Sequence, residues 1–370
     1  MKKRICFIAQ FPPPIHGLSK AVDTLYNSEL ARQFDFEKVD IKDNKKILRS
    51  IFGILRSKAD LFYFTISQSR GGNLRDLVIL WLLRKKKVLV HLHGGYYRKL
   101  VDNDLPQWQR KANYKAISKL AGAIVLGPSL KYIFEGMLPS EKIFTVPNCV
   151  DDEFLMSDRE FEQKLAGLPQ RQVKHVLYLS NFIRSKGYPQ VLEMAKLEKE
   201  RVERGGERRF HFDFAGKFFE KTEEKYFWGF VRENGLEEYI TYYGVVGGDR
   251  KRELLRLCDV FVLLTTYPNE GQPISILEAM GNGLAVITTD HAGIPDLVAD
   301  RVNGLAVSRD DPRQAQKGYE YLLNGMNDQV SFCNRQEAKA NYTQSAYLQN
   351  MADVFRDSLW SVGQPLTETR

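Results

Sequence analysis

Short apolar runs recur along this chain and are separated by longer segments with helical spacing. This alternation limits the possible folds more than any other feature. In the first half the runs read as strands at 5–9, 38–41, 61–66, 88–92, 123–126 and 143–146. In the second half they read as strands at 176–179, 211–215, 240–243, 260–264 and 285–288. Many of them end at Gly, Asn or Thr. Strands that alternate with helices predict parallel sheets, with ligands outside the carboxyl ends of the strands. A length of 370 residues predicts two or three domains, and a hydrophobic content of 43% suffices for buried cores. The polar stretch 151–171 holds the expected link, so a first domain is expected at 1–165 and a second at 166–345. No internal repeat and no low-complexity segment interrupts this pattern, and residues after Gly363 read as a loose tail.

Several classes are excluded. No apolar stretch approaches the ~20 residues that a membrane span needs. The longest, residues 77–83, runs into Arg84-Lys-Lys-Lys87. The start, Met1-Lys-Lys-Arg-Ile-Cys-Phe-Ile, has the charge of a secretion signal, but prolines 12–14 end its apolar part too early, so it reads as a first strand. Cys6, Cys149, Cys258 and Cys333 form no disulfide or metal pattern, which suits a reducing cytoplasm. Neither His-x-x-x-His nor Cys-x-x-Cys is present to suggest a zinc site.

The most informative stretch is Pro268-Asn-Glu-Gly-Gln-Pro-Ile-Ser-Ile-Leu-Glu-Ala-Met-Gly-Asn-Gly-Leu284. It lies between the apolar runs 260–264 and 285–289. Pro273 suits the first turn of a helix, and Ile274, Ile276 and Leu277 open its apolar face. Glu270 then sits in the loop after a strand, and Glu278 lies about a turn and a half into the helix. A helix N-terminus attracts phosphate, and carboxylates accept hydrogen bonds from vicinal hydroxyls. A diphosphate flanked by polyols describes a sugar nucleotide.

Glu-Gly-x-Pro-x-x-x-Leu-Glu-Ala-Met, followed by Gly283, Val286-Ile-Thr-Thr and Gly293-Ile-Pro295, resembles the family-four retaining glycosyltransferases of the GT-B fold. The resemblance extends to His91-Leu-His-Gly-Gly95, Val146-Pro-Asn-Cys-Val-Asp151, Leu179-Ser-Asn-Phe-Ile-Arg-Ser-Lys-Gly187 and Tyr243-Gly244 through Asp259-Val260. It implies an α/β architecture of two Rossmann-like, doubly wound parallel-sheet domains facing across a cleft. The first domain would serve the acceptor and be completed by a C-terminal helix within about 346–370; the second would bind the nucleotide sugar. The resemblance also implies catalytic-site roles for His93, Lys186 and Glu270, and donor binding by Glu278 and by Gly17, Asn181, Arg184, Gly244, Gly271, Gln272 and Ile274. The family usually has an arginine early in its phosphate loop, where this chain has Ser180-Asn181. It also has two adjacent glycines where this chain has Gly17-Leu18. The mechanism implied uses no cofactor beyond the nucleotide-sugar donor and no metal ion, and needs no dedicated protein base. Asp102-Asn-Asp104 has the Asp-x-Asp spacing of metal-dependent glycosyltransferases, but no apolar strand precedes it.

Charge is uneven. Residues 1–150 carry 26 Lys and Arg against 12 Asp and Glu, and the remaining 220 carry 28 against 34, which together give the net +8. An anionic partner for the first half is therefore expected. Residues 45–58 place Ile47, Leu48, Ile51, Phe52, Ile54 and Leu55 at helical spacing, with Lys45, Lys46, Arg49 and Arg56 outside. Two readings stay open: a helix on an anionic membrane surface, or an amphipathic helix packed on the core. No nucleic-acid motif accompanies the charge. The expectation is a cytoplasmic glycosyltransferase, peripheral on the inner face of a membrane, that passes sugar to a glycan or lipid-linked acceptor in bacterial surface-polysaccharide assembly. A non-catalytic protein of the same fold and a sugar-nucleotide epimerase are the alternatives.

Overall fold

Two six-stranded sheets, parallel at every strand pair, account for the alternation. The computed structural model describes residues 2–13, 17–43, 46–325 and 328–360. The first unit comprises Met1–Asn148 with Tyr347–Arg370, and the second Cys149–Ala346. The first boundary lies earlier than the expected 165, because Val150 N donates to Tyr342 O and Phe154 packs in the second core.

In the first unit the strands are β1 Lys3–Ala9, β2 Phe34–Asp40, β3 Leu61–Thr65, β4 Val88–His91, β5 Gly122–Val125 and β6 Ile143–Thr145, in the order β2-β1-β3-β4-β5-β6. The helices are α1 Gly17–Tyr26, α2 Ile47–Arg56, α3 Arg70–Leu82, the short α4 Tyr97–Lys99, and α5 Gln107–Ile117. A π turn, Leu100–Asp104, follows α4. The connections β2→β3, β3→β4 and β4→β5 all advance in one direction along the sheet. Right-handed crossovers therefore put α2, α3 and α5 on one face.

The second unit opens with α6 Asp158–Gly167, then β7 Lys174–Leu179, α7 Tyr188–Glu203, β8 Phe210–Ala215, α8 Lys221–Glu233, β9 Ile240–Tyr242, α9 Gly248–Leu257 and β10 Val260–Leu263. It continues with α10 Ile274–Gly281, β11 Ala285–Thr289, β12 Gly304–Val307, α11 Gln314–Asn324 and α12 Asp328–Asn341. Its strand order is β12-β11-β10-β7-β8-β9. Strands covered on both faces read as continuous apolar runs, and β3 and β11 are buried at every position. The last helix, α13 Gln344–Trp360, returns to the first unit. Its Phe355 ring meets Phe7, Phe34 and Tyr63 edge-on, and Lys87 Nζ donates to Leu359 O at 2.6 Å. The tail after Gly363 lies outside the described residues.

Strand β12 has no counterpart in the sequence reading. It is a four-residue edge strand that opens on a glycine. A Cβ at Gly304 would lie 2.3 Å from Val286 O, so glycine is what lets this strand pair with β11.

Each sheet has one place where the chain reverses its direction of growth. In the first it lies between β1 and β3, and in the second between β7 and β10. Ligands of open α/β sheets bind outside the strand ends at such points. The second of these is braced from beneath. Lys164 of α6 is buried, and its Nζ donates to the carbonyl oxygens of Leu255, Cys258 and Asn282 at 3.2, 2.6 and 3.1 Å. These carbonyls lie at the ends of α9 and α10, where cations are favoured. Lys164→Met fills the same space but leaves three buried acceptors without a donor. The variant is expected to lose roughly 3 kcal/mol. A lower urea midpoint for the second unit checks this; an unchanged midpoint contradicts it.

Candidate functional site

The loops after β7 and β10 meet at the switch point of the second sheet. The β7 loop closes with Arg184-Ser-Lys186 and Gly187, whose φ is +86°. A Cβ on Gly187 would lie 2.3 Å from Leu264 O, so only glycine lets this loop press onto the end of β10. Thr266 N then donates to Ser185 O at 2.7 Å. The result is an ion pair: Lys186 Nζ lies 2.6 Å from Glu270 Oε2, which also accepts from Thr265 Oγ1 at 3.1 Å. Glu270 is 7% exposed. The Lys186 ammonium stands 4.7 Å from the centre of the Tyr267 ring, a second favourable contact for a cation.

Two contacts from the β11 side hold the β10 loop in place. Gly293 N donates to Gly271 O at 2.9 Å. The His291 ring bridges Arg309 Nη1, 3.2 Å from Nδ1, and Tyr267 O, 2.7 Å from Nε2. A guanidinium only donates, so Nδ1 is the acceptor and the proton on Nε2 goes to the loop carbonyl.

Helix α10 begins at Ile274, with Pro273 as its cap. Glu278 is 3% exposed, and its Oε1 lies 2.5 Å from Lys251 Nζ of α9. Lys251 also sits over the Phe154 ring, 4.3 Å from its centre. At the far end of α10, Arg335 donates to Gly281 O, and the Asn282 side chain bonds Phe154 O and Glu278 O. The helix that carries Glu278 is thus pinned at its C-terminus while its N-terminal turn follows the Glu270 loop.

Not every expected residue joins this group. Lys186 and Glu270 touch each other; Gly271 and Gln272 follow on the same loop and are buried, and Ile274 is half-buried. Arg184 turns away to Glu223 of α8, 3.2 Å distant, and lies 4.1 Å from the centre of the Tyr226 ring. Asn181 is exposed, and its carbonyl accepts from Tyr178 Oη at 3.0 Å. Gly244 adopts φ +69°, and its carbonyl accepts from Gly216 N at 2.8 Å. Gly17 is the first residue of α1, with open space where a Cβ would stand. Residues 14–16 before it lie outside the described residues.

Lys251, Thr265 and the His291–Arg309 pair were not expected from the sequence. For Lys251 the signal is present but faint. It precedes the buried Leu254 and Leu255 by three and four positions, which turns it inward, within a charged run that reads as solvated.

In the first unit His93 follows β4. Its ring packs on that of His91, with centroids 3.9 Å apart and 30° between planes. His91 is fully buried, with Nδ1 2.6 Å from Tyr63 Oη. Burial, and then the neighbouring His93, holds the His91 pKa well below its ordinary 6.5. Asp102 and Asp104 lie on the π turn rather than at a strand end. Asp102 is paired with Arg98 and Arg110, and Asp104 accepts from Tyr96 Oη at 2.6 Å.

Residues 159–341 match the family of glycosyl transferases group 1. The match takes in the Lys186 loop, both glutamates and Lys251. The amylovoran biosynthesis glycosyltransferase AmsK of Erwinia amylovora is 32% identical over 78 residues, which cover 20% of this chain and 19% of AmsK. An uncharacterized glycosyltransferase of Methanocaldococcus jannaschii, MJ1069, is 23% identical over 294 residues, 77% of this chain and 71% of that protein. Among solved structures, Anabaena Alr3699/HepE in complex with UDP superposes with a TM-score of 0.72 at 16% identity, covering 96% of this chain and 100% of its own. At such identity the likeness shows the fold, which is GT-B.

The His91 environment carries a pH dependence. Below about 6.5 the unfolded imidazole takes up a proton that the folded one does not, so stability falls as pH drops through 6.5 toward the lower folded value. Urea unfolding at pH 7, 6 and 5 is expected to show the first unit losing up to about 1.4 kcal/mol per pH unit from this group. His91→Gln is expected to flatten that slope; an identical slope in the variant contradicts the assignment.

Proposed function

We propose that the chain is a retaining, metal-independent glycosyltransferase that moves a sugar from a nucleoside-diphosphate donor to a glycan or lipid-linked acceptor. The observation that carries the reading is the Lys186–Glu270 pair at the switch point of the second sheet, followed by the N-terminus of α10 with Glu278 behind it. The match to glycosyl transferases group 1 supports the reaction class. The UDP complex of the structural neighbour supports a nucleotide in this fold, and the amylovoran role in the name of AmsK supports surface-polysaccharide assembly.

The chemistry follows from charge. The bond between the anomeric carbon and the donor phosphate oxygen breaks, and the diphosphate gains negative charge. Lys186 and the unpaired N–H groups at the start of α10 meet that charge. Gly271 and Gln272 offer backbone N–H groups, whereas Pro273 has none. The acceptor oxygen bonds to the anomeric carbon on the face that the phosphate leaves, and its proton passes to the departing phosphate oxygen. Glu270 accepts hydrogen bonds from the sugar hydroxyls and supports the positive charge of the transition state. Glu278, held by Lys251, accepts hydrogen bonds from the ribose hydroxyls. His93 keeps the catalytic-site role that the resemblance gives it, and Gly17, Asn181 and Gly244 keep theirs in donor binding. Arg184 reaches a donor only by leaving Glu223, so Lys186 is the principal cation. The setting is cytoplasmic and peripheral to a membrane; among the described residues no helix is long and apolar enough to cross one.

A transfer assay tests this reading. Glu270→Ala is expected to lower turnover about 100-fold or more at saturating donor, because it removes a contact that strengthens in the transition state. Glu278→Ala is expected mainly to raise the donor KM, and wild-type transfer is expected to persist in excess chelator. Near-normal turnover by Glu270→Ala would sink the assignment. Loss in chelator with recovery on Mg²⁺ or Mn²⁺ would return Asp102 and Asp104 to consideration.

A further inference from the structure

Three helices on one face of the first sheet bury one side and leave large apolar residues exposed on the other. Helix α3 buries Asn73 and Asp76 together with Ile79 and Leu80, while Leu74, Val78 and Trp81 are 50%, 44% and 61% exposed. Helix α5 buries Gln109, Asn113 and Ile117 and leaves Trp108 60% exposed. The polar side chains close on one another. Asn73 Nδ2 donates to Asn113 Oδ1 at 2.9 Å, and Gln109 Nε2 donates to Asn73 Oδ1 at 2.8 Å. Amides thus join the two helices inside, and Leu74, Val78, Trp81 and Trp108 remain exposed outside. Helix α2 buries Ser50 and Ile54 but exposes Leu48, Phe52 and Leu55. It packs on the core, as one of the two readings of this segment had it, and also presents an apolar stripe; Lys45 lies outside the described residues.

Between α3 and α5 runs a groove of about 420 Å³, within the range of ligand pockets. Its floor is aliphatic, and Trp81 and Trp108 stand at its sides. Its charged lining is basic throughout: Arg84, Lys86, Lys115 and Lys119, with no acidic residue. The Arg84 guanidinium stacks 4.6 Å from the Trp81 ring, and Arg56 stands 5.1 Å from Phe52 on α2. Tryptophan beside cations, around an apolar slot, matches the layering of a lipid head-group region over hydrocarbon.

We infer that the groove between α3 and α5 receives a hydrocarbon chain of an anionic bilayer lipid, with its basic rim on the lipid phosphate. Charge selects this occupant. A neutral apolar peptide has no use for four cations around an aliphatic slot, whereas a phospholipid supplies chain and anion together. The inference rests on the membrane-side part of the proposed function and is independent of donor chemistry.

The test uses the full chain and sedimentation with phosphatidylglycerol or phosphatidylcholine vesicles. Wild type is expected to bind the anionic vesicles, to lose them at high salt and to ignore the neutral ones. Joint replacement of Arg84, Lys86, Lys115 and Lys119 by Gln is expected to weaken binding roughly 1,000-fold at low salt. Trp81→Ser with Trp108→Ser changes only exposed rings; it is expected to weaken binding and to abolish fluorescence quenching by brominated lipid chains. Equal binding by either variant, quenching unchanged without the two tryptophans, or a self-associating wild type that the serine variant renders monomeric would each overturn the inference. Thermal protection by nucleotide sugars, run on the same samples, separates the two proposals. Lost vesicle binding with protection intact removes only the lipid site, and the reverse removes only the donor reading.

Discussion

The ion pair between Lys186 and Glu270 depends on almost everything around it. A buried charge pair repays its desolvation only when geometry is good and the remaining lone pairs are satisfied. Here Gly187 lets one loop close on the end of β10, and Thr265 donates a second hydrogen bond to the same Glu270 oxygen, Oε2. His291, oriented by Arg309, fixes the backbone between them. The pair lies where the second sheet reverses its growth, because β7 and β10 are neighbours in space yet far apart in the chain. Topology brings the lysine and the glutamate together; side-chain chemistry then makes the meeting favourable.

The second glutamate is handled differently. Glu278 is part of a helix and owes its position to what holds that helix: Lys164 and Arg335 at the C-terminal carbonyls, Asn282 between, and Lys251 at the carboxylate itself. Cations at the C-terminus of α10 complement its dipole and leave the N-terminus to attract an anion.

Much of this was legible beforehand, for a physical reason. Parallel strands covered on both faces must be apolar throughout, so runs such as Leu61–Thr65 and Ala285–Thr289 stand out. Strand β12 did not, because a short edge strand that opens on glycine carries little apolar signal. The two glutamates were legible from their spacing and their flanking glycine and proline. Lys251 was not, because its partner lies 27 residues away and its own neighbourhood is uniformly charged. The boundary near residue 149 was hidden for a similar reason: the polar stretch 151–171 contains Phe154 and Phe161, which pack in the second unit. Along α3 the apolar residues divide, Ile79 and Leu80 inward with Asn73 and Asp76, and Leu74, Val78 and Trp81 outward, a division that the apolar run 77–83 does not announce.

The most direct test of the donor site is protection against thermal unfolding by a panel of nucleotide sugars, measured on wild type and on Lys186→Gln. A ligand that binds only the folded state raises the apparent Tm by mass action. At least one nucleoside-diphosphate sugar is expected to raise the Tm of the wild type, and Lys186→Gln is expected to lose most of that rise. Equal protection of the variant, or no protection by any member of the panel, would contradict a diphosphate site built on Lys186 and Glu270.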